Sequence, residues 1–295
     1  MELIAQVVLD GLALGLIYAM AALGLSLAFG VMHVINVAHG DMIVLSAFII
    51  YWIIAILGAS LGINGILVIL LAGFIAALTM FILGYILQLY IVNRVIEGPP
   101  LTTLLLFFGI MLILPNLMTI LWGPYTRTII IPELTQNISI LSVKVPLSRI
   151  FTIIFSLIVL SALIMWLYRT KTGIAIRATA QNREAALICG INIKHIYALT
   201  LAISISLTGF AGLLVGINMA FAPTHGFIYT LFAFLIVVLG GMGYPPGAIV
   251  GGIIIGYIQV LISTFLGTTF VYAFVFLALY LTLLLRPRGI LGRGV

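Results

Sequence analysis

Hydrophobic residues in this chain come in long unbroken runs rather than in alternation. Apolar segments cover about 3–30, 42–57, 63–92, 101–121, 150–168, 196–221, 227–243, 247–267 and 270–285. A helix needs roughly 20 apolar residues to cross the hydrocarbon core of a bilayer, whereas a spanning strand needs about 10 that alternate. The pattern predicts an all-α polytopic membrane protein with eight or nine transmembrane helices, the last three short and close together. The 295 residues are 64% hydrophobic and only 6% charged. Soluble domains carry roughly 25% charged residues, so this chain cannot cover a water-facing surface. One membrane domain over 1–295 is the simplest organisation. The first residues, MELIAQVVLDGL, hold no Lys or Arg ahead of the apolar run. They lack the basic start of a cleaved signal peptide and are expected to remain as a span.

The polar interruptions sort the loops. The longest runs from Arg169 to His195 and holds five of the twelve basic residues, Arg169, Lys171, Arg177, Arg183 and Lys194, with Glu184 as its only acid. A charge at the centre of a spanning helix is costly, so this stretch lies outside the membrane. Its Ala-rich centre predicts a short helix there, with Gly190 as its stop. Nine basic residues fall in the Arg94 turn, this loop and the tail (Arg286, Arg288, Arg293), against three, Arg127, Lys144 and Arg149, on the other side if nine spans are right. The excess places loop 169–195 and the C-terminus in the cytoplasm and the N-terminus outside. The net charge of +6 is therefore a matter of orientation, not of nucleic acid. Loop 122–149 is the long external one, and the alternation in ISILSVKV at 138–145 predicts a small hairpin on the membrane surface.

The segment Val31–Asp41, VMHVINVAHGD, is polar for its place between two apolar runs. It reads either as a broken or re-entrant helix facing a cavity or as a snug cytoplasmic turn. A metal site from its two histidines and Asp41 is allowed by residue type, but no further acid or cysteine stands nearby, and none is expected. His39-Gly40 is followed by Ala47-Phe48, and His225-Gly226 by Ala233-Phe234 at the same spacing. These pairs fall on opposite membrane sides, as an inverted-topology repeat would place them. Small residues at Gly11, Gly15, Ala19, Ala22 and Ser26, at Gly209, Gly212 and Gly216, and at Gly243, Gly247 and Gly251 share helix faces and mark close helix packing.

Several chemistries are missing. There is no phosphate-binding loop, no nucleophile elbow and no zinc-protease motif. The single cysteine, Cys189, excludes an internal disulfide and a Cys-based metal cluster. Asp41 is the only acid near a span's hydrocarbon zone, thin support for a proton relay. The economical inference is a membrane pathway whose energy comes from another protein through loop 169–195.

Glu184-Ala185-Ala186-x-x-x-Gly190 in that loop resembles the coupling motif of ABC importer permeases. Its surroundings are similar to the permeases of branched-chain amino acid importers: ThrGlyIle at 172–174, ArgAlaThrAla at 177–180, Asn182 and GlyIleAsn at 190–192. So are IleAsnValAlaHisGlyAsp at 35–41, AlaProThrHisGly at 222–226, GlyGlyMetGly at 240–243, ProGly at 246–247 and ArgProArgGlyIleLeuGly at 286–292. These motifs cover nearly the whole chain, and the short N-terminus resembles the first of the two permeases of such systems. The resemblance implies a transmembrane permease, not an enzyme, in a prokaryotic cell membrane. Implied partners are a homologous second permease, two cytoplasmic ATPases and an external solute-binding protein; no cofactor is expected. Coupling to the ATPases is expected through Arg177, Glu184, Ala185, Ala186 and Gly190. The translocation pathway is expected near Asn36, His39 and Asp41. The same family includes urea and short-chain amide permeases, so the solute does not follow. The alternative is a secondary transporter with its own ion coupling, which leaves the coupling motif unexplained.

Overall fold

A computed structural model describes residues 2–61, 65–140 and 143–292. Arg293 and the side chain of Lys144, both counted in the charge balance, lie outside the described part. The chain forms α1 (Glu2–Met32), α2 (His39–Leu61), α3 (Ile66–Leu87), a π-helical turn (Gln88–Val92), α4 (Asn93–Val95), α5 (Pro100–Trp122) and α6 (Pro132–Thr135). A hairpin of β1 (Asn137–Ile140) and β2 (Val143–Pro146) follows, antiparallel with Ile138 opposite Val145. Then come α7 (Leu147–Arg169), α8 (Lys171–Gln181), α9 (Arg183–Ile188), α10 (Ile193–Asn218), α11 (Gly226–Gly240), α12 (Pro245–Phe265) and α13 (Val271–Leu285). Nine helices among the described residues are long and apolar enough to cross a membrane. The protein is thus a multi-pass membrane protein, and the surface hairpin forms where residues 138–145 alternate.

α1 and α10 form the centre and are buried along most of their length, whereas α5 and α13 are mostly exposed. Apolar exposure of that kind suits helices that face lipid or another membrane chain. Small residues set the central contacts. A Cβ on Gly252 of α12 would lie 2.6 Å from Cα of Ala19 of α1, and one on Gly209 of α10 would lie 2.5 Å from Cα of Ala77 of α3. Between α1 and α10, Ser204 donates its hydroxyl to the carbonyl of Gly24 at 2.6 Å. In a bilayer, where no hydrophobic drive joins helices, such backbone approach and hydrogen bonding hold the bundle together.

Helix directions follow from the same contacts. Arg149 pairs with Asp10 near the start of α1 at 2.9 Å and donates to Asn218 at the end of α10. α1 and α10 therefore run antiparallel. α1 packs along α12, with Gly11 beside Tyr257 and Gly30 beside Gly243; α3 packs along α10, with Gly73 beside Leu213 and Gly84 beside Ala202. The units α1–α2–α3 and α10–α11–α12 thus share one plan in opposite directions and exchange partners across it. Their breaks match in register to within one residue: α1 ends at Met32 and α10 at Asn218, and α2 starts at His39 and α11 at Gly226. This is the inverted relation that the two His-Gly pairs predict.

Of the two readings of Val31–Asp41, the re-entrant one holds. His39 Nε2 lies 2.9 Å from the carbonyl oxygen of Ala21, about three turns before α1 ends. After Met32 the chain therefore turns back along α1, and α2 starts beside the Ala21 level of α1, within the bundle. His33, at the turn, takes a positive φ of 55°.

Candidate functional site

Loop 169–195 is built by three helix caps. Thr170 accepts from the Gly173 N–H at 3.1 Å and starts α8. Gly173 is required there because its Cα runs against the backbone of Leu167, where any Cβ would overlap it. Asn182 accepts from the Ala185 N–H at 3.0 Å and starts α9. Asn192 accepts from the His195 N–H at 3.2 Å and starts α10. Short Asn and Thr side chains satisfy the free N–H groups of a first helical turn. The one short helix expected from the sequence is therefore two, α8 and α9, because Asn182 leaves the helical conformation to cap the second.

Gly190 ends α9 as expected, with φ at +81°. The Ile191 N–H reaches Ala186 O at 3.0 Å and the Gly190 N–H reaches Leu187 O at 2.9 Å, the paired bonds of a Schellman stop. A Cβ at Gly190 would meet nothing within 4 Å, so the glycine serves conformation, not space.

The expected coupling residues divide by where they point. Arg177 is tied back to α7: its Nε donates to Leu167 O at 3.3 Å and its guanidinium lies 4.5 Å from the Tyr168 ring centroid. Ala186 is buried and seats α9 on the bundle. Glu184 and Ala185 are exposed, and Glu184 pairs with neither Arg177 nor Arg183. Arg183 instead meets Glu97, beyond α4, at 3.1 Å, and lies 5.9 Å from the Tyr197 ring centroid of α10. Both partners of that ion pair are about half-exposed or more, and such pairs contribute about 0–1 kcal/mol, so it fixes position more than stability. Sequence reasoning missed the outermost residue. Ile188 is 87% exposed, beside Leu187 and the exposed Cys189. An isoleucine so exposed at the tip of a capped helix is the available signal.

The pathway candidates gather at the break between α1 and α2. Asn36, His39 and Asp41 are all buried. Asn36 Oδ1 accepts from the Ala38 N–H at 3.1 Å, which closes the turn before α2. The Gly40 N–H donates to Thr230 Oγ1 at 2.8 Å, and Thr230 donates on to Val37 O at 3.1 Å. The Asp41 carboxylate lies against Gly226, and Gly40 closes on Gly226 from the same side. The starts of α2 and α11 thus meet inside the protein. Glycine at 40 and 226 is what lets them, and Asp41 stands where two positive helix ends face it. Asn36 lines a cavity of about 340 Å³ beside α5 and α11, whereas His39 and Asp41 do not line it. Among the described residues no three His, Cys, Asp or Glu side chains come together as metal ligands.

Comparison with known proteins agrees with this architecture. The chain is 31% identical to the high-affinity branched-chain amino acid transport system permease protein LivH of Salmonella typhimurium, over 98% of this chain and 95% of the relative. It is 29% identical to the corresponding permease protein BraD of Pseudomonas aeruginosa, over the same shares. Among solved structures it resembles PsaBC from Streptococcus pneumoniae in complex with Fab, with a TM-score of 0.50 and 11% identity over 95% of this chain and 91% of that one, a likeness of fold. The family model described as branched-chain amino acid transport system / permease component matches residues 7–285. This chain belongs to that permease family.

Proposed function

We propose that this chain forms the translocation pathway of an ATP-driven importer for branched-chain amino acids or related small solutes. The family is one of permease components, not catalysts, so ATP hydrolysis falls to other subunits. The partner set that fits is a homologous second permease, two cytoplasmic ATPases and an external solute-binding protein. Loop 169–195 is the cytoplasmic coupling element, loop 122–149 is external, and the N-terminus is outside, in line with the charge excess. Asn36 lines the pathway, while His39 and Asp41 hold the break between α1 and α2 in place. Glu184, Ala185 and Gly190 present and end the coupling helix, and Arg177 and Ala186 anchor it.

The observation that carries this reading is α9 itself. It is a short helix capped at both ends, held outside the membrane bundle, with Leu187 and Ile188 bare to solvent. Two apolar side chains held rigidly in water mark a surface built for a partner. The test is reconstitution of the complete complex in vesicles. ATP inside an inside-out-corrected preparation should drive L-leucine uptake, and the ATPases should copurify from gently solubilised membranes. Uptake that persists without ATPase subunits, under an ion gradient alone, would replace this reading with that of a secondary transporter.

A further inference from the structure

A cleft of about 420 Å³ opens between α9, the turn that follows α4 and the start of α10. Arg183 and Leu187, one turn apart on α9, form one wall. Glu97, just past α4, and Lys194 and Tyr197 of α10 form the others. Ile188 and Cys189, at the exposed tip of α9, do not line it, so it lies beside the docking surface rather than within it. Its volume falls in the range of small-molecule pockets, about 300–1,000 Å³.

The polar groups of this cleft are not used up within the protein. The Glu97–Arg183 pair at 3.1 Å engages one carboxylate oxygen and one guanidinium nitrogen, and leaves the rest of both groups open. Lys194 makes no hydrogen bond or ion pair among the described residues. Tyr197 is only 6% exposed, yet its hydroxyl makes no hydrogen bond among them either. A buried tyrosine hydroxyl ordinarily has a partner, and this one belongs to a wall of the cleft. Two cations, one carboxylate and a hydroxyl thus meet beside apolar surface from Ile96, Leu187 and Ile193. A simple anion would leave Glu97 repelling it, and a simple cation would meet Arg183 and Lys194. A zwitterion with a short hydrocarbon chain satisfies every group. Its acid group pairs with Lys194 and Arg183, its ammonium with Glu97 and the Tyr197 oxygen, and its chain with the apolar wall.

We propose that this cleft binds an aliphatic α-amino acid from the cytoplasm and thereby slows its further import. This rests on the permease reading above, which supplies the sidedness and the solute, and adds a regulatory site to it. A ligand that touches α9 on one wall and α10 on the other favours the arrangement in which the two are held together. A transport cycle that moves α9 relative to the bundle is slowed, so delivered solute restrains the importer.

The test reads Lys194 itself. Lys171 lies in the same loop and does not line the cleft. Brief amine acylation of the complete complex in lipid nanodiscs, read at both lysines by mass spectrometry, gives a ratio that corrects for reagent consumed by a free amino acid. L-leucine should lower the Lys194-to-Lys171 ratio. Isocaproate lacks the ammonium and isoamylamine lacks the carboxylate, so each should need about tenfold higher concentration or more. Glu97→Gln should weaken protection by L-leucine to the same degree, and Tyr197→Phe by about two- to tenfold. In vesicles, L-leucine loaded together with ATP should slow initial uptake, and Glu97→Gln should raise the loading needed by about tenfold. A ratio indifferent to L-leucine, or equal protection by the two half-ligands, would overturn the site. Protection by ethanolamine phospholipid alone would make it a lipid site, and Lys194 unreactive until the ATPases are stripped would give the cleft to them; either overturns the proposal. Protection without any slowing of uptake would overturn the feedback role. Failure of the unaltered complex to take up L-leucine with ATP would instead overturn the permease reading, while the lysine ratio still decides binding.

Discussion

Replacing Ile188 by Asp should detach the ATPases and leave the permease folded. Ile188 is 87% exposed in the chain alone, so the substitution removes almost nothing from the permease's own packing. Exposed substitutions of this kind shift stability by about 0.5 kcal/mol or less. If an ATPase groove covers α9, the same side chain goes from water to full burial, which contributes about 1.5–3 kcal/mol. At 1.4 kcal/mol per decade, its loss weakens each docking contact by roughly ten- to a hundredfold. An unpaired carboxylate in the groove adds a desolvation cost in the same direction. The assay titrates purified ATPase subunits onto solubilised permease and follows ATP-driven uptake in vesicles alongside the folded yield. Normal ATPase affinity, within about twofold of the parent on that scale, would refute α9 as the docked surface. Reduced yield with normal affinity would mean that Ile188 packs within the permease after all.

Glycine positions supply the other tests. Gly190→Ala puts a Cβ into open space but holds it at φ +81°, a left-handed cost of about 1–2 kcal/mol. ATPase binding should therefore weaken in the order Ala worse than Asn at position 190, since Asn tolerates that region; an equal effect of the two would make size, not conformation, the cause. Gly226→Ala drives a Cβ into the Asp41 carboxylate and its main chain, so folded yield and thermal stability of the complex should fall, with normal melting as the contrary result. Gly109→Ala on α5 meets nothing within 4 Å and should be neutral or stabilising, by up to about 1 kcal/mol of helix propensity; marked loss of assembly there would reveal a partner seated on α5.

The spans and the re-entrant break were legible because each is a local matter of hydrocarbon length and polarity. So was the repeat: four residues, His-Gly and Ala-Phe, recur at one spacing, and the breaks they mark do match in register. What could not be read was partnership. The stripe of Gly11, Gly15 and Ala19 gave a helix face, but only the fold assigns that face to α12. Arg177 looked like an outward cation and is in fact folded onto Tyr168 and Leu167, because α8 doubles back along α7. Asn182 was quoted as part of a motif, yet its role as a cap splits the expected helix in two. Ile188 was passed over because an isoleucine in a hydrophobic sequence carries no signal until its exposure is known.

The most direct test of coupling through α9 uses the chain unaltered. Cys189 is its only cysteine, is exposed, and directly follows Ile188. A short thiol-directed photocrosslinker attached to Cys189 in the intact complex should capture an ATPase subunit, and prior binding of the ATPases should shield Cys189 from labelling. Capture of only the solute-binding protein or lipid, or full labelling of Cys189 with the ATPases bound, would contradict coupling through this helix.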